Sequence, residues 1–250
     1  MKIVFHQIFK KVYSLDPAAK AGRMEVILKE VEDLYELVKP QPASERDLGR
    51  IHTHNHIDSI KENHQLYEIA CFSAGGAILC AELAVEGEPG FGLIRPPGHH
   101  ASPNSCWGFC FFNNIAVAIR KLIDEGKITK ALIVDFDLHY GDGTEKAFDN
   151  RGEVTYFYLP GRERCEQLEN LRGFLEKSRE YDILGVSAGF DRGKYDWGGI
   201  FETEDYRTIG RMLKEASLKT CEGRRFSVLE GGYNHNVLGK NVKSFLEGFD

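Results

Sequence analysis

Short apolar runs alternate with helix-patterned stretches along nearly the whole chain, and this alternation constrains the fold more than any other feature. The runs fall at 2–6, 91–94, 131–134, 154–159, 183–187 and 226–229. Each is too short for a helix, and most end at Gly, Pro or a cluster of polar residues. Between them lie stretches with apolar residues at helical spacing. One spans 21–38 (Met24, Ile27, Leu28, Val31, Leu34, Leu37, Val38) and stops before Pro40 and Pro42. Another spans 64–85 and carries the small-residue patch Ala74-Gly75-Gly76-Ala77, suited to close packing against a neighbour. Further helices are expected at 114–125, 166–179, 204–218 and after residue 234. Strands alternating with helices predict an α/β fold, with a central parallel sheet and helices on both faces. No repeat, linker or low-complexity stretch divides the 250 residues, so a single domain over 1–250 is expected.

The chemistry concentrates where these strands stop. After Ala131-Leu132-Ile133-Val134, the residues Asp135, Asp137 and His139 stand at every second position. On an extended backbone they would share one face, and Gly141 and Gly143 would then turn the chain tightly around Asp142. Two carboxylates and an imidazole on one buried face need partners, because burying an unpaired charge is strongly unfavourable. A divalent metal would satisfy all three; an ion-pair network is the plainer alternative. The strand at 91–94 leads into Arg95-Pro96-Pro97-Gly98-His99-His100, and that at 183–187 into Ala188-Gly189-Phe190-Asp191. The last strand leads into Glu230-Gly231-Gly232-Tyr233-Asn234. In open α/β sheets the ligand site lies outside the carboxyl ends of the strands. Four separate segments therefore converge on one place. By contrast, His52-Thr53-His54-Asn55-His56 has the flanks of a turn entering a short helix and reads as structural.

Net charge is −6, with no basic block. That argues against nucleic acid as the main partner and mildly favours cationic substrates. No apolar run approaches the eighteen or so residues of a membrane span, and residues 1–6 lack a signal-peptide pattern, so no membrane partner is expected. The six cysteines (71, 80, 106, 110, 165, 221) form no C-x-x-C pair, and Cys106 and Cys110 have no second Cys/His pair to complete a zinc knuckle. A reducing, cytoplasmic setting is the expectation. A homo-oligomer is compatible with all of this.

Asp137, His139 and Asp191 would supply three N/O ligands and leave a position open for water, as in catalytic rather than closed structural metal sites. Zinc brings the pKa of its bound water to about 7. His99 and His100 can serve as base and acid. Each needs a carboxylate to fix its tautomer, and Asp135 and Asp142 are the unassigned carboxylates in the right segment. Tyr233, on a Gly-Gly turn, can present its phenol to a developing oxyanion. Together these groups describe hydrolysis of an amide or ester.

At this point five ordered motifs resemble a family. They are 95–100 (RPPGHH), 108–110 (GFC), 135–143 (DFDLHYGDG), 187–191 (SAGFD) and 230–234 (EGGYN). They are similar to those of the zinc-dependent histone deacetylase family, which includes the prokaryotic acetylpolyamine amidohydrolases and has the arginase-like α/β fold. The resemblance covers nearly the whole chain. It implies Zn²⁺ on Asp137, His139 and Asp191, and it pairs His99 with Asp135 and His100 with Asp142. It has Tyr233 polarise the acetyl carbonyl, and it makes Phe109 one wall of an acyl-lysine channel with Gly108 beneath. Asp and His ligands also suit Fe²⁺. The implied activity is metal-dependent removal of an acetyl or other acyl group from an amine. An acetylated polyamine or other small acylated amine is the expected substrate, with protein acetyl-lysine as the alternative.

The departures from the family pattern shape a further expectation. The segment between Asp58 and the helix near Gln65 is short, where the family usually carries a substrate-gripping acidic residue. Residues 160–171 are cut down and hold no aromatic for a second channel wall. Tyr158 stands where the family's monovalent-cation site often has a serine, which puts a bound K⁺ in question. An open, shallow site follows, favouring small amines over acetyl-lysine peptides. A binuclear manganese ureohydrolase would need carboxylates where Gly141 and Gly193 stand. A non-catalytic acyl-lysine reader should have lost a ligand, a dyad histidine or the tyrosine, and none is missing.

Overall fold

In the computed structural model, which describes residues 1–149 and 152–250, strand β1 (Lys2–Val4) leads to helix α1 (Arg23–Val31) and strand β2 (Glu36–Val38). Helices α2 (Glu45–Leu48), α3 (His54–Lys61) and α4 (His64–Val85) precede β3 (Gly90–Gly92). Helix α5 (Asn114–Asp124), β4 (Ala131–Asp135), α6 (Asp142–Phe148) and β5 (Val154–Tyr158) follow. The chain continues through α7 (Arg164–Lys177), β6 (Ile183–Ala188), α8 (Thr203–Thr220), β7 (Arg225–Leu229) and α9 (Leu238–Phe249).

The strands form one parallel sheet in the order β2-β1-β3-β7-β6-β4-β5. β3, β4, β6 and β7 are buried at every residue, as strands covered on both faces must be. Their register aligns Asp135 with Ser187, Ser187 with Val228, and Val228 with Gly92. The four segments that carry the candidate site leave these four adjacent central strands. Their loops therefore meet at one edge of the sheet, although they lie far apart in sequence.

Capping fixes where the helices beside the site begin. The Asn113 side chain accepts the Ala116 N–H at 3.1 Å, the usual N-cap bond. Its amide also donates to Ala101 O and to Thr144 Oγ1, both at 3.1 Å. The start of α5 is thereby tied to the loop that carries His99 and His100.

Four local expectations need correction. The helical spacing over 21–38 ends early, because α1 stops at Val31 and Glu36–Val38 pairs with β1 as the edge of the sheet. β4 ends at Asp135, so Asp137 and His139 do not continue one extended face. Asp135 Oδ1 accepts the Asp137 N–H at 3.0 Å, and Asp137 Oδ1 accepts the His139 N–H at 2.9 Å. These side-chain bonds curl the chain in place of ladder bonds. The tight turn falls at Gly141 rather than around Asp142: the Asp142 N–H donates to Tyr140 O at 2.9 Å, both glycines lie outside the positive-φ set, and Gly143 is inside α6. They supply room: a Cβ on Gly141 would lie 2.5 Å from Asp135 Oδ2, and one on Gly143 would lie 2.5 Å from the His100 carbonyl carbon. Finally, α4 is long and apolar enough to cross a membrane by length and composition. The sequence hid this because the length is reached only by counting its small residues, and those residues press into the core. Ala74, Gly75, Gly76 and Ala77 are all buried.

Candidate active site

Asp137, His139 and Asp191 come together as the sequence predicts, with one donor atom of each within 4.8 Å of the others. His139 Nδ1 lies 3.1 Å from Asp191 Oδ2 and 3.3 Å from Asp137 Oδ1. Asp137 Oδ2 accepts the Gly231 N–H at 2.8 Å, and Asp191 Oδ1 accepts the Leu138 N–H at 3.0 Å, so the backbone aims both carboxylates. Asp191 Oδ2 is buried and makes no hydrogen bond, because His139 Nδ1, though 3.1 Å away, is not aligned to donate to it. An orphaned carboxylate oxygen beside a second buried carboxylate calls for a cation. The electrostatics agree. His139 is drawn up to about 10 by the Asp137 carboxylate and then the Asp191 carboxylate standing beside its Nδ1. Asp191 is pushed up to about 6 by burial and then by the charge of Asp137. A divalent metal among these three donors would take the place of the proton that His139 otherwise holds. The N/O/O donor set fits Zn²⁺ and Fe²⁺ alike.

Both histidines pair as expected, in contrasting surroundings. His99 Nδ1 meets Asp135 Oδ2 at 3.0 Å, and the same oxygen accepts the Tyr156 hydroxyl at 2.9 Å. The His99 pKa is raised: burial opposes the shift, but the charges of Asp137 and then Asp135 outweigh it. His100 Nδ1 meets Asp142 Oδ1 at 3.0 Å. That oxygen also accepts Trp107 Nε1–H at 3.0 Å, while Lys146 Nζ donates to Oδ2 at 2.8 Å. Burial and then the neighbouring His99 push His100 down to about 4, so this ring is neutral near pH 7. The two rings stand 4.0 Å apart between centroids. An adjacent pair thus holds one ring that readily keeps a proton and one free to accept it.

Tyr233 is placed by the Glu230–Gly232 turn. Arg23 donates to Gly232 O at 2.8 Å and to Glu230 O at 2.6 Å, and its guanidinium lies 5.6 Å from the Tyr233 ring centroid. Burial, then the charges of Asp137 and Asp191, raise the phenol well above its ordinary value, so it remains a proton donor. Phe109 sits across from it, with ring centroids 6.0 Å apart. Phe109 has φ 69°, a strained conformation for a non-glycine residue, and follows Gly108 at φ 59°. A Cβ on Gly108 would strike the His100 ring, so close approach as well as backbone sign requires glycine there.

The expectation of a single aromatic wall is overturned. Trp197, from the loop after β6, packs against Tyr233 with ring centroids 4.2 Å apart and planes tilted by 32°, and lies 6.4 Å from Phe109 and 5.9 Å from His139. Trp107 covers His100 at 3.9 Å. The second wall arises outside 160–171 altogether. The resulting cavity of ≈ 130 Å³ is lined by both tryptophans with Phe109, Tyr233, His99, His100 and His139. A larger cavity of ≈ 360 Å³ lies at the opposite, amino-terminal ends of β4 and β5 and touches none of these groups.

Sequence reasoning also missed the residues that hold these groups. Asp196 accepts the N–H groups of Tyr233 and Asn234 at 2.7 and 2.8 Å. Glu230 is wholly buried, accepts the Gly98 N–H at 2.7 Å, and is pushed up to about 7, chiefly by burial. Glu230 groups with His99 and Cys110, but Cys110 Sγ is already engaged by the His100 N–H at 3.4 Å. One signal was available: the chain has only two tryptophans, and each follows a predicted site residue within a glycine-containing loop. His52 and His56 prove structural, bonded to main-chain groups of 102, 113 and 111.

The histone deacetylase domain family matches residues 17–160 and 171–249. Histone deacetylase 5 of Arabidopsis thaliana is 31% identical over 90% of this chain and 40% of its own length. Acetylpolyamine amidohydrolase of Mycoplana ramosa is 31% identical over 73% of this chain and 63% of its own. The chain thus spans less than two thirds of either relative. In structure, the HDA15 HD domain superposes over 100% of this chain and 90% of that one, with TM-score 0.85 and 21% identity. That likeness speaks to the fold.

Proposed function

The chain belongs to the histone deacetylase domain family, and on that premise we propose that it is a metal-dependent amidohydrolase that removes an acetyl or other short acyl group from an amine. The observation that carries this reading is the buried Asp191 Oδ2, which faces His139 and Asp137 without a hydrogen bond, directly beside two His–Asp pairs and a tyrosine. Asp137, His139 and Asp191 would hold Zn²⁺ or Fe²⁺. The metal would supply Lewis acidity toward the acyl carbonyl and the attacking water.

The remaining work falls to the chain. His100 has Nδ1 engaged by Asp142, which leaves Nε2 to take a proton from the attacking water. His99, oriented by Asp135, whose Oδ2 is itself held by the Tyr156 hydroxyl, is the second proton carrier for the departing amine. Tyr233 donates its phenol hydrogen to the oxygen on which negative charge develops. Phe109 and Trp197 line the cavity that would take a slender alkyl stem and would shield that stem from water.

A small acylated amine is the preferred substrate. It is supported by the relative named acetylpolyamine amidohydrolase and by the net charge of −6, which draws cations. Acetyl-lysine in a peptide is the second reading, and Trp197 favours it by restoring the wall that would grip a lysine stem. The test is metal analysis of the purified protein and of Asp191→Ala, with turnover of acetylated polyamines and acetyl-lysine peptides by the Zn²⁺- and Fe²⁺-loaded forms. The wild-type chain should bind metal and hydrolyse an acylated amine, and the variant should lose both. Full metal occupancy in Asp191→Ala would refute the ligand set. A metal-loaded protein that binds acylated amines without turnover would make it a reader rather than an enzyme.

A further inference from the structure

Arg192, the residue after the metal-group carboxylate Asp191, is a buried cation, 2% exposed. Among the described residues it forms no salt bridge with a carboxylate. Its donors go instead to neutral oxygens from three parts of the chain. Nε donates to Asp137 O at 3.0 Å, Nη2 to Leu159 O at 2.9 Å, and Nη1 to Gln167 Oε1 at 2.5 Å. The guanidinium carbon lies 5.2 Å from the Tyr158 ring centroid. The Tyr158 hydroxyl donates to a fourth oxygen, Leu138 O, at 2.7 Å.

A cluster of main-chain oxygens close behind two metal-group carboxylates is an environment that attracts a small cation. The resemblance to the deacetylase family raised K⁺ for this region, and the residues here do not fit it. An alkali ion needs several oxygens converging on one vacant position. Here the carbonyls of Asp137, Leu138 and Leu159 already accept from Arg192 or Tyr158, and the Arg192 guanidinium and the Tyr158 ring occupy the space between them. A guanidinium meets the same demands permanently. It carries charge at every relevant pH and offers donors in a rigid planar fork.

We propose that Arg192 is a built-in monovalent cation: its guanidinium replaces an exchangeable alkali ion beside the metal group and holds the loop bearing Asp137 and His139 in register. It acts through Asp137 O and is therefore a positioning residue. Gln167, which receives Nη1 and anchors back to Gly161 O at 3.2 Å, extends the hold to α7.

The experiment compares chloride salts of K⁺, Na⁺ and choline at equal ionic strength. Its first arm is thermal unfolding of the metal-free protein, which does not depend on the proposed enzymatic activity. Its second arm is turnover by the metal-loaded protein. For the wild-type chain, unfolding temperature and turnover should be the same in all three salts. Arg192→Ala, which leaves both the oxygens and the space vacant, should lose about tenfold or more in choline. K⁺ should restore its stability and activity in a saturable way. Arg192→Met fills the space without charge, and K⁺ should not restore it. A saturable K⁺ response in the wild-type chain would overturn the proposal. So would a folded Arg192→Ala that is fully active in choline, or one that is impaired and indifferent to every cation. If Arg192→Ala fails to fold in every salt, the wild-type comparison still decides. A failure of turnover alone, with the thermal arm as expected, would count against the proposed function and leave the role of Arg192 standing.

Discussion

Asp196 binds the backbone of Tyr233: Oδ2 accepts the Tyr233 N–H at 2.7 Å, and the neighbouring Asn234 N–H reaches the same oxygen at 2.8 Å. Its other oxygen accepts the Trp197 N–H at 2.8 Å. One carboxylate thus joins the turn that presents the phenol to the residue that forms the opposing wall. Asp196→Ala should lower kcat by about 10-fold to 10²-fold, because small misplacements of a reacting group are that costly. Metal occupancy should stay unchanged, since Asp191 keeps its own bond from Leu138 N. Metal analysis with steady-state kinetics checks this, and a loss of metal in step with activity would contradict it.

Removing the phenol itself should be more severe. Tyr233→Phe is expected to keep fold and metal and to lose about 10² to 10³ in kcat, the scale for deleting one oxyanion donor. A near-wild-type kcat would show that the hydroxyl does not meet the reacting carbonyl.

Trp197→Ala tests the second wall. Each buried CH₂ is worth about 0.8 kcal/mol, so losing half the contact on a four-carbon stem removes on the order of 1.5 kcal/mol, or about tenfold in binding. KM for acetyl-lysine peptides should rise by about that factor, with little change in kcat for a minimal acetylated amine. An unchanged KM for both would show that the substrate stem runs elsewhere.

His52 gives the fold a defined sensitivity to acid. Its Nε2 accepts the Asn113 N–H at 2.9 Å while Nδ1 lies 3.1 Å from Ser102 O, a pattern only the neutral ring can satisfy. Burial and then His56 push its pKa down to about 3. The unfolded chain takes up a proton near its ordinary value of about 6.5. The folded chain resists until about 3, so this contribution is complete above the unfolded pKa and is lost as pH falls between the two values. Urea midpoints should therefore decline on acidification through that window, and His52→Gln should flatten that part of the decline. An equally steep decline in the variant would exclude His52 as the source.

The fold was legible wherever one segment carries its own signal. The apolar run before Asp135, the helix over 64–85 and the parallel-sheet architecture all follow from local periodicity. The candidate metal group, Asp137, His139 and Asp191, was legible because carboxylates and histidines after strands have few other uses. Trp197 was missed because the wall was sought only in 160–171, whereas the topology brings in the loop after β6. Arg192 was missed for a different reason: an arginine in a loop reads as a surface charge until the oxygens it bonds are known. β2 was hidden because an exposed edge strand of three residues, Glu-Leu-Val, can sit equally well at the end of a helical pattern.

The central pairing of β3 with β7 has a consequence for how the molecule is made. It joins Gly90 to Phe226, more than a hundred residues apart, whereas β4 and β5 pair with neighbours closer in the chain. Pairings of such sequence separation are closed late and slowly during folding. The Asp137 carboxylate gains the Gly231 N–H only once β7 has taken its place beside β6. High-affinity metal uptake should therefore be among the last events of folding, and a chain interrupted before residue 225 should remain a weak metal binder however well its earlier strands have formed.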